Sequence, residues 1–286
     1  MRRWPTLDLD SAAIFSRIVN YDIGVICFLT SMSCAHDLAL FGNRIFGFSK
    51  VVVMLEPGSD PVVEMTVEEL VARACTLLNR PGRTMLGITG PPGAGKSTLT
   101  QALVVALGAD LVVVPMDGFH LSNELLEQMS RRDRKGAPDT YDVAGYVSLL
   151  RRIRDREESV YAPRFDRELE QSIGSAQYVP AVTRLVVTEG NYLLSVTDGW
   201  AEVRDTLDEV WYVDLDAHEI EQRLVARRMS HGDSLEAARD WVMTVDLPNG
   251  YGVCQSRDRA DLIVQLTATP TVGASAPRGE NQKELS

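Results

Sequence analysis

The segment Gly90-Pro91-Pro92-Gly93-Ala94-Gly95-Lys96-Ser97, followed by Thr98, carries two glycines bracketing four residues and then Gly-Lys-Ser. That is the phosphate-loop pattern, and each position has a physical reason. The glycines permit backbone angles that a Cβ forbids, so successive N–H groups can turn inward and cup an anion. Lys96 is long enough to reach β- and γ-phosphates, and the Ser97 hydroxyl is placed to ligate Mg²⁺. Upstream, Thr84–Thr89 reads as a short buried strand; downstream, Leu99, Leu103, Ala106 and Leu107 form a helical apolar stripe. Strand, glycine loop and helix N-terminus together predict a nucleoside triphosphate site.

Phosphoryl transfer also needs charge neutralisation and a carboxylate near the acceptor hydroxyl. Asp117 follows the β-branched run Leu111–Pro115 directly, at the strand edge where open α/β sheets bind ligands. Gly118 next to it allows a sharp turn that points the carboxylate into the cleft; the plainer reading is a solvated turn aspartate. Glu189 ends Leu185–Glu189, a strand expected beside the phosphate loop, where an acid serves a Mg²⁺ shell. His120 is a substrate candidate by its nearness to Asp117. Tyr161, Arg164, Asp166 and Arg167 offer aromatic and guanidinium groups to a substrate. Arg131, Arg132, Arg134 and Lys135 form a basic cluster, read mostly as solvated surface. Arg223 and Arg227, four apart, share a helix face and suit a lid over the moving phosphoryl group; a Glu219–Arg223 surface pair is the competing account.

These side chains need a framework. Thr66-Val67-Glu68-Glu69 is a capping-box start for a helix with Leu70, Ala74 and Leu77 on its apolar face. Tyr146–Ile153, His218–Met229 and Ser234–Val245 read as helices, and Glu209–Leu215 and Asp261–Leu266 as strands. Ser122–Asp142 reads as a polar, basic connection. Strands alternating with helices predict a parallel sheet covered on both faces.

The chain has 286 residues, 45% of them apolar and 24% charged, ordinary values for a globular protein. A net charge of −11 argues against nucleic acid as partner. Cys27, Cys34, Cys75 and Cys254 lack metal-ligand spacing and read as reduced thiols, which fits a cytoplasmic protein. Ile23–Thr30 is too short to span a bilayer, so no membrane partner is expected. Residues 1–64 form an extension of unknown role, with strand candidates at Ile45–Phe48 and Val51–Leu55. Met54 or Met65 as the true initiator is an alternative, which makes the upstream residues an over-long gene prediction. Residues 267–286 read as a disordered tail.

The ordered set GITGPPGAGKST, VPMDGFHLSN, RKGAPDTYD, VYAPRFDRE, LVVTEGNYLL, EQRLVARR and DLPNG resembles the phosphoribulokinase/uridine kinase family of P-loop kinases over residues 66–266. The resemblance implies an α/β P-loop NTPase three-layer sandwich: a mostly parallel sheet, helices on both faces and a lid segment. Asp117 then corresponds to the carboxylate that orients or deprotonates the acceptor hydroxyl. Lys96 and Ser97 fall on ATP–Mg²⁺, Glu189 near the metal and Arg227 or a neighbour in the lid. Lys135, Tyr161 and Asn249 fall where related kinases contact acceptor or nucleotide. Uridine kinases carry an Asp-Ser-Phe-Tyr type segment where this chain has Asp117-Gly118-Phe119-His120, and pantothenate kinases differ around Tyr161–Asp166. Neither substrate therefore carries over.

The expectation is an ATP-dependent kinase domain over 65–266 that phosphorylates the hydroxyl of a small molecule: a nucleoside, a sugar, a glycerate-like acid or a vitamin precursor. A nucleotide-operated ATPase or switch is the alternative. Asp142-Val143-Ala144-Gly145 matches a GTPase Asp-x-x-Gly, but it follows a polar loop and no Asn-Lys-x-Asp accompanies it. Assembly as a homodimer stays open.

Overall fold

The computed structural model describes residues 62–267. The strand candidates of the extension, the initiator alternatives before Val62 and the tail beyond Thr267 lie outside the described residues.

Six parallel strands form the central sheet: β1 (Val63–Thr66), β2 (Thr84–Thr89), β3 (Leu111–Pro115), β6 (Leu185–Glu189), β7 (Glu209–Asp214) and β8 (Leu262–Thr267). Their spatial order is β1-β8-β7-β2-β6-β3. Strand β1, absent from the sequence reading, pairs Val63 with Val264 and Met65 with Leu266. It starts two residues before the boundary expected at 65, and Met65 lies inside it.

Side chains along each strand alternate between two cores, as the period of two requires. Met85, Val186, Val210, Tyr212 and Ile263 enter one. Leu86, Ile88, Val187, Trp211 and Val264 enter the other. The second core is closed by α1 (Val67–Leu78) through Leu70, Ala74 and Leu77, and by α2 (Lys96–Leu107) through Leu99 and Leu103. The first is closed by α4 (Val143–Arg154), through Tyr146, Leu150 and Ile153, with Trp200. This is the three-layer sandwich, and the capping box of α1 is present in both directions, Thr66 N–H to Glu69 at 2.8 Å and Glu69 N–H to Thr66 at 3.2 Å.

Two departures shape the site. The connection between Ser122 and Asp142 is partly helical, with α3 (Asn123–Gln128) capped by Ser122. Residues 159–180 form an antiparallel hairpin of β4 (Ser159–Asp166) and β5 (Gln171–Pro180), separate from the main sheet. Gly118 is buried and makes no positive-φ turn. A Cβ there would stand 2.5 Å from the Pro163 carbonyl oxygen, so its smallness is what lets β4 pack directly on the strand end. A short α5 (Ala201–Arg204) precedes β7. Beyond the sheet, α6 (Ala217–Ser230) and α7 (Leu235–Trp241) lead through a π-helical turn at Val242–Asp246 into α8 (Leu247–Cys254).

Candidate active site

Strand order sets the site. β6 lies between β2 and β3, with Glu189 in register beside Ile88 on one side and Pro115 on the other. Adjacent strands are about 4.8 Å apart, so the phosphate loop after β2, Glu189 ending β6 and Asp117 after β3 stand in a row on one sheet edge. Lys96, Ser97, Asp117 and Glu189 all line one cavity of about 590 Å³. That volume suits a small-molecule site.

At the loop end, Gly95 is the N-cap of α2 with φ of 105°, and no side chain caps the helix. No acid stands in its first turn either. The free N–H groups of a twelve-residue helix and its dipole therefore face whatever anion enters. Gly90, with φ of 142°, lies against β7; a Cβ would be 2.4 Å from the Val213 carbonyl oxygen. Lys96 is buried and donates to the carbonyls of Gly90 at 3.0 Å and Pro91 at 2.9 Å. Burial pushes its pKa down, with Glu189 and Asp117 opposing. Burial likewise pushes the Glu189 carboxyl up, with Lys96 opposing. Ser97 is exposed and Glu189 half-buried on the cavity wall. One hydroxyl and one carboxylate suit Mg²⁺, which keeps several waters and takes phosphate oxygens as its other ligands.

At the far end, Asp117 Oδ2 accepts from Arg167 at 2.6 Å. His120 holds its Nδ1 2.8 Å from the Asp117 carbonyl, and its ring lies 4.1 Å from Tyr141 and 4.8 Å from Phe165. Burial pushes the His120 pKa down, with Asp117 countering it, which favours a neutral ring. Lys135 donates to Asn123 at 2.7 Å and to the Glu170 carbonyl. The third wall comes from α6, the π-helical turn and α8. Arg223 and Arg227, Asp246, and Asn249 reach the cavity from these in turn.

The family model described as the phosphoribulokinase/uridine kinase family matches residues 85–273. The chain belongs to this family. It is 33% identical over 199 residues to the uncharacterized protein YggC of Escherichia coli, covering 68% of this chain and 82% of that one. It is 35% identical over 223 residues to a provisionally named uridine kinase of Schizosaccharomyces pombe, covering 73% and 94%. Among solved structures, a provisionally named fructose transport system kinase from Silicibacter sp. TM1040 superposes with a TM-score of 0.64 at 37% identity, over 70% of this chain and 98% of that one. Membership in this family carries the P-loop fold and nucleotide binding.

The structure sorts the remaining candidates of this kinase. Asp117, His120, Lys135, Asn249 and Arg227 line the cavity with the loop residues Pro92, Gly93, Gly95 and Thr98. Gly90, Pro91 and Ala94 shape the loop from behind, Pro91 and Ala94 being buried. Tyr161 and Arg164 are a correction: neither lines the cavity, and both are exposed. Tyr161 instead stacks on Tyr178 at 5.5 Å. The hairpin register shifts between Ala162 and Arg164, and such an irregularity re-aims the side chains beyond it. Phe165 consequently turns inward and Arg164 outward.

Arg228 separates from its neighbours. It pairs with Asp233 at 2.6 Å and covers the Trp241 ring at 4.6 Å, while Arg223 and Arg227 face the cavity. The Glu219–Arg223 pair also exists, at 3.1 Å, so both accounts of Arg223 hold together. Tyr192, Trp241 and Asp246 also line the cavity without a signal in the sequence, and Arg132, from the basic cluster expected mostly at the solvated surface, lines it with them. The aromatic and apolar ones read as core; the turn that delivers Asp246 is π-helical, a form with no simple sequence period.

Proposed function

We propose that this P-loop kinase is an ATP-dependent phosphotransferase whose acceptor is the hydroxyl of a small molecule: a nucleoside, a sugar, a glycerate-like acid or a vitamin precursor. One observation carries the reading: Asp117 and Lys96 line the same cavity, each at the end of its own strand-derived loop, with Glu189 on the strand between them.

The loop amides and Lys96 hold the triphosphate tail. Asp117 accepts the acceptor's O–H proton as its oxygen attacks the γ-phosphorus in line; a new O–P bond forms and the bond to the β-phosphate oxygen breaks, leaving ADP. Ser97 and Glu189 would hold Mg²⁺, which would supply charge neutralisation to the phosphates. Arg223 and Arg227, at the cavity wall, balance charge on the group in flight. Closure of that wall keeps water from competing with the acceptor.

The test is ADP release from ATP and Mg²⁺ against a panel of nucleosides, sugars, glycerate and pantothenate. Release stimulated by one acceptor, with a phosphorylated product by mass, is the expected result. Acceptor-independent turnover that no panel member raises would assign an ATPase instead.

A further inference from the structure

We infer that the acceptor of this kinase carries an anionic group, a carboxylate or a phosphate, which takes the Arg167 guanidinium from Asp117 and so frees the base only when substrate is present. This rests on the phosphotransferase reading above.

The acceptor end of the cavity is built for an anion. Lys135 and Arg167 stand 5.0 and 5.1 Å from the same Phe165 ring, and Arg132 lines the cavity with them. Three cations converge there in a protein whose net charge is −11. Neighbouring acids do not neutralise them as a set. Asp139, the obvious partner for the basic cluster, is taken up by Arg134 at 2.7 Å and Arg131 at 3.4 Å. Lys135 is held by an amide and a carbonyl oxygen, which aim it without satisfying its charge. Glu170 stands near Lys135 and leaves Arg167 to Asp117.

Arg167 is the moving part. It sits in the turn between β4 and β5, it is 62% exposed, and Asp117 is its ion-pair partner at 2.6 Å. In that contact the guanidinium takes the Oδ2 site at which an acceptor hydroxyl would otherwise bond. An exposed pair of this kind contributes little net stability, so a ligand anion can replace it. A planar guanidinium matches carboxylate and phosphate bidentately, which favours the exchange over a neutral hydroxyl. Without the acceptor anion, Asp117 stays occupied and ATP is spared from hydrolysis.

The test compares alcohols that differ by one anionic group: glycerol with glycerate for the carboxylate, fructose with fructose 6-phosphate for the phosphate, and pantothenol with pantothenate. Turnover confined to anionic members is expected, and the pair that responds tells carboxylate from phosphate. In Arg167→Ala the acceptor KM should rise at least tenfold, ATP KM should stay unchanged and acceptor-independent ADP release should increase; Arg167→Lys should recover part of the acceptor KM. A neutral member turned over as well as its anionic counterpart overturns the inference and leaves the kinase reading standing. If no member is turned over, calorimetry of inorganic phosphate with the ADP-loaded protein decides. Binding at least tenfold weaker in Arg167→Ala supports the anion corner, and equal binding overturns it.

Discussion

The Lys96 ammonium donates a 3.0 Å hydrogen bond to the carbonyl oxygen of Gly90, six residues back in its own loop. Among the described residues no carboxylate forms an ion pair with it; carbonyl dipoles hold the buried cation directly, Glu189 and Asp117 favour its charge from further off, and an incoming phosphate supplies the direct partner. Lys96→Ala should lower kcat about 10²- to 10³-fold, the scale for one preorganised charge donor, and raise the KM for ATP. Steady-state ADP release by a variant with an unchanged melting curve checks this; near-normal turnover would remove Lys96 from the site.

Asp117→Asn keeps the shape of the side chain and removes its capacity to take a proton. ATP affinity should hold while acceptor-dependent turnover falls about 10²-fold or more. Equilibrium binding of an ATP analogue beside kcat separates the two effects. A loss of ATP affinity with kcat intact contradicts the assignment.

Arg227 and its neighbour Arg228 should behave oppositely. Arg227→Ala is expected to reduce kcat by about 10²-fold with little change in melting temperature. Arg228→Ala removes a contact with Asp233 and a stacked face of Trp241, a loss of about 1 kcal/mol of stability with kcat mostly kept. Kinetics and melting of both variants give the comparison, and the reverse pattern would exchange their roles.

Gly118→Ala places a methyl 2.5 Å from the Pro163 carbonyl oxygen, a backbone atom that cannot swing aside. Destabilisation of about 1–3 kcal/mol is expected as β4 is pushed from the strand end. Gly174, with open space around its would-be Cβ, is the control, and Gly174→Ala should stay within about 0.5 kcal/mol. Denaturant midpoints measure both.

The His120 ring has a folded pKa below its unfolded value because it is buried. The unfolded chain therefore takes up this proton first. The stability it contributes is present above the unfolded value, about 6.5, and is lost as pH falls from there towards the folded value. Glu189, shifted upward by burial, contributes with the opposite sign: its stability is present below the unfolded value and is lost as pH rises through the folded one. The measurement is the stability difference between wild type and His120→Asn at each pH from about 7.5 to about 5. That difference should move against wild type on acidification, and a flat difference rules the effect out.

The β4–β5 hairpin shows where reading a sequence stops. Tyr161 and Arg164 have the composition of a binding segment, yet strand alternation turns Tyr161 outward, and the register shift beyond Ala162 turns Arg164 outward and presents Phe165 instead. Pro163, with no N–H to give the ladder, marks where the shift falls, but pairing with residues 171–180 decides its extent. Gly118 suits a turn by its local sequence, but the constraint on it comes from Pro163, 45 positions away. Arg228 and Arg227 are adjacent in sequence; a helix rotates neighbours by about 100°, and only packing says which one meets Trp241.

The loop Gly90–Thr98, the strands that end in Glu189 and precede Asp117, and the capping box at Thr66 were decided by the amino-acid order alone, because each depends on backbone freedom, short-range hydrogen bonds or a two-residue period. Strand order was decided by the tertiary structure. Inserting β6 between β2 and β3 is what sets Asp117 across from Lys96, and it depends on burying both faces of six strands at once. The same packing brings Arg167 from the hairpin turn onto Asp117, a contact between residues 50 apart that no local pattern encodes.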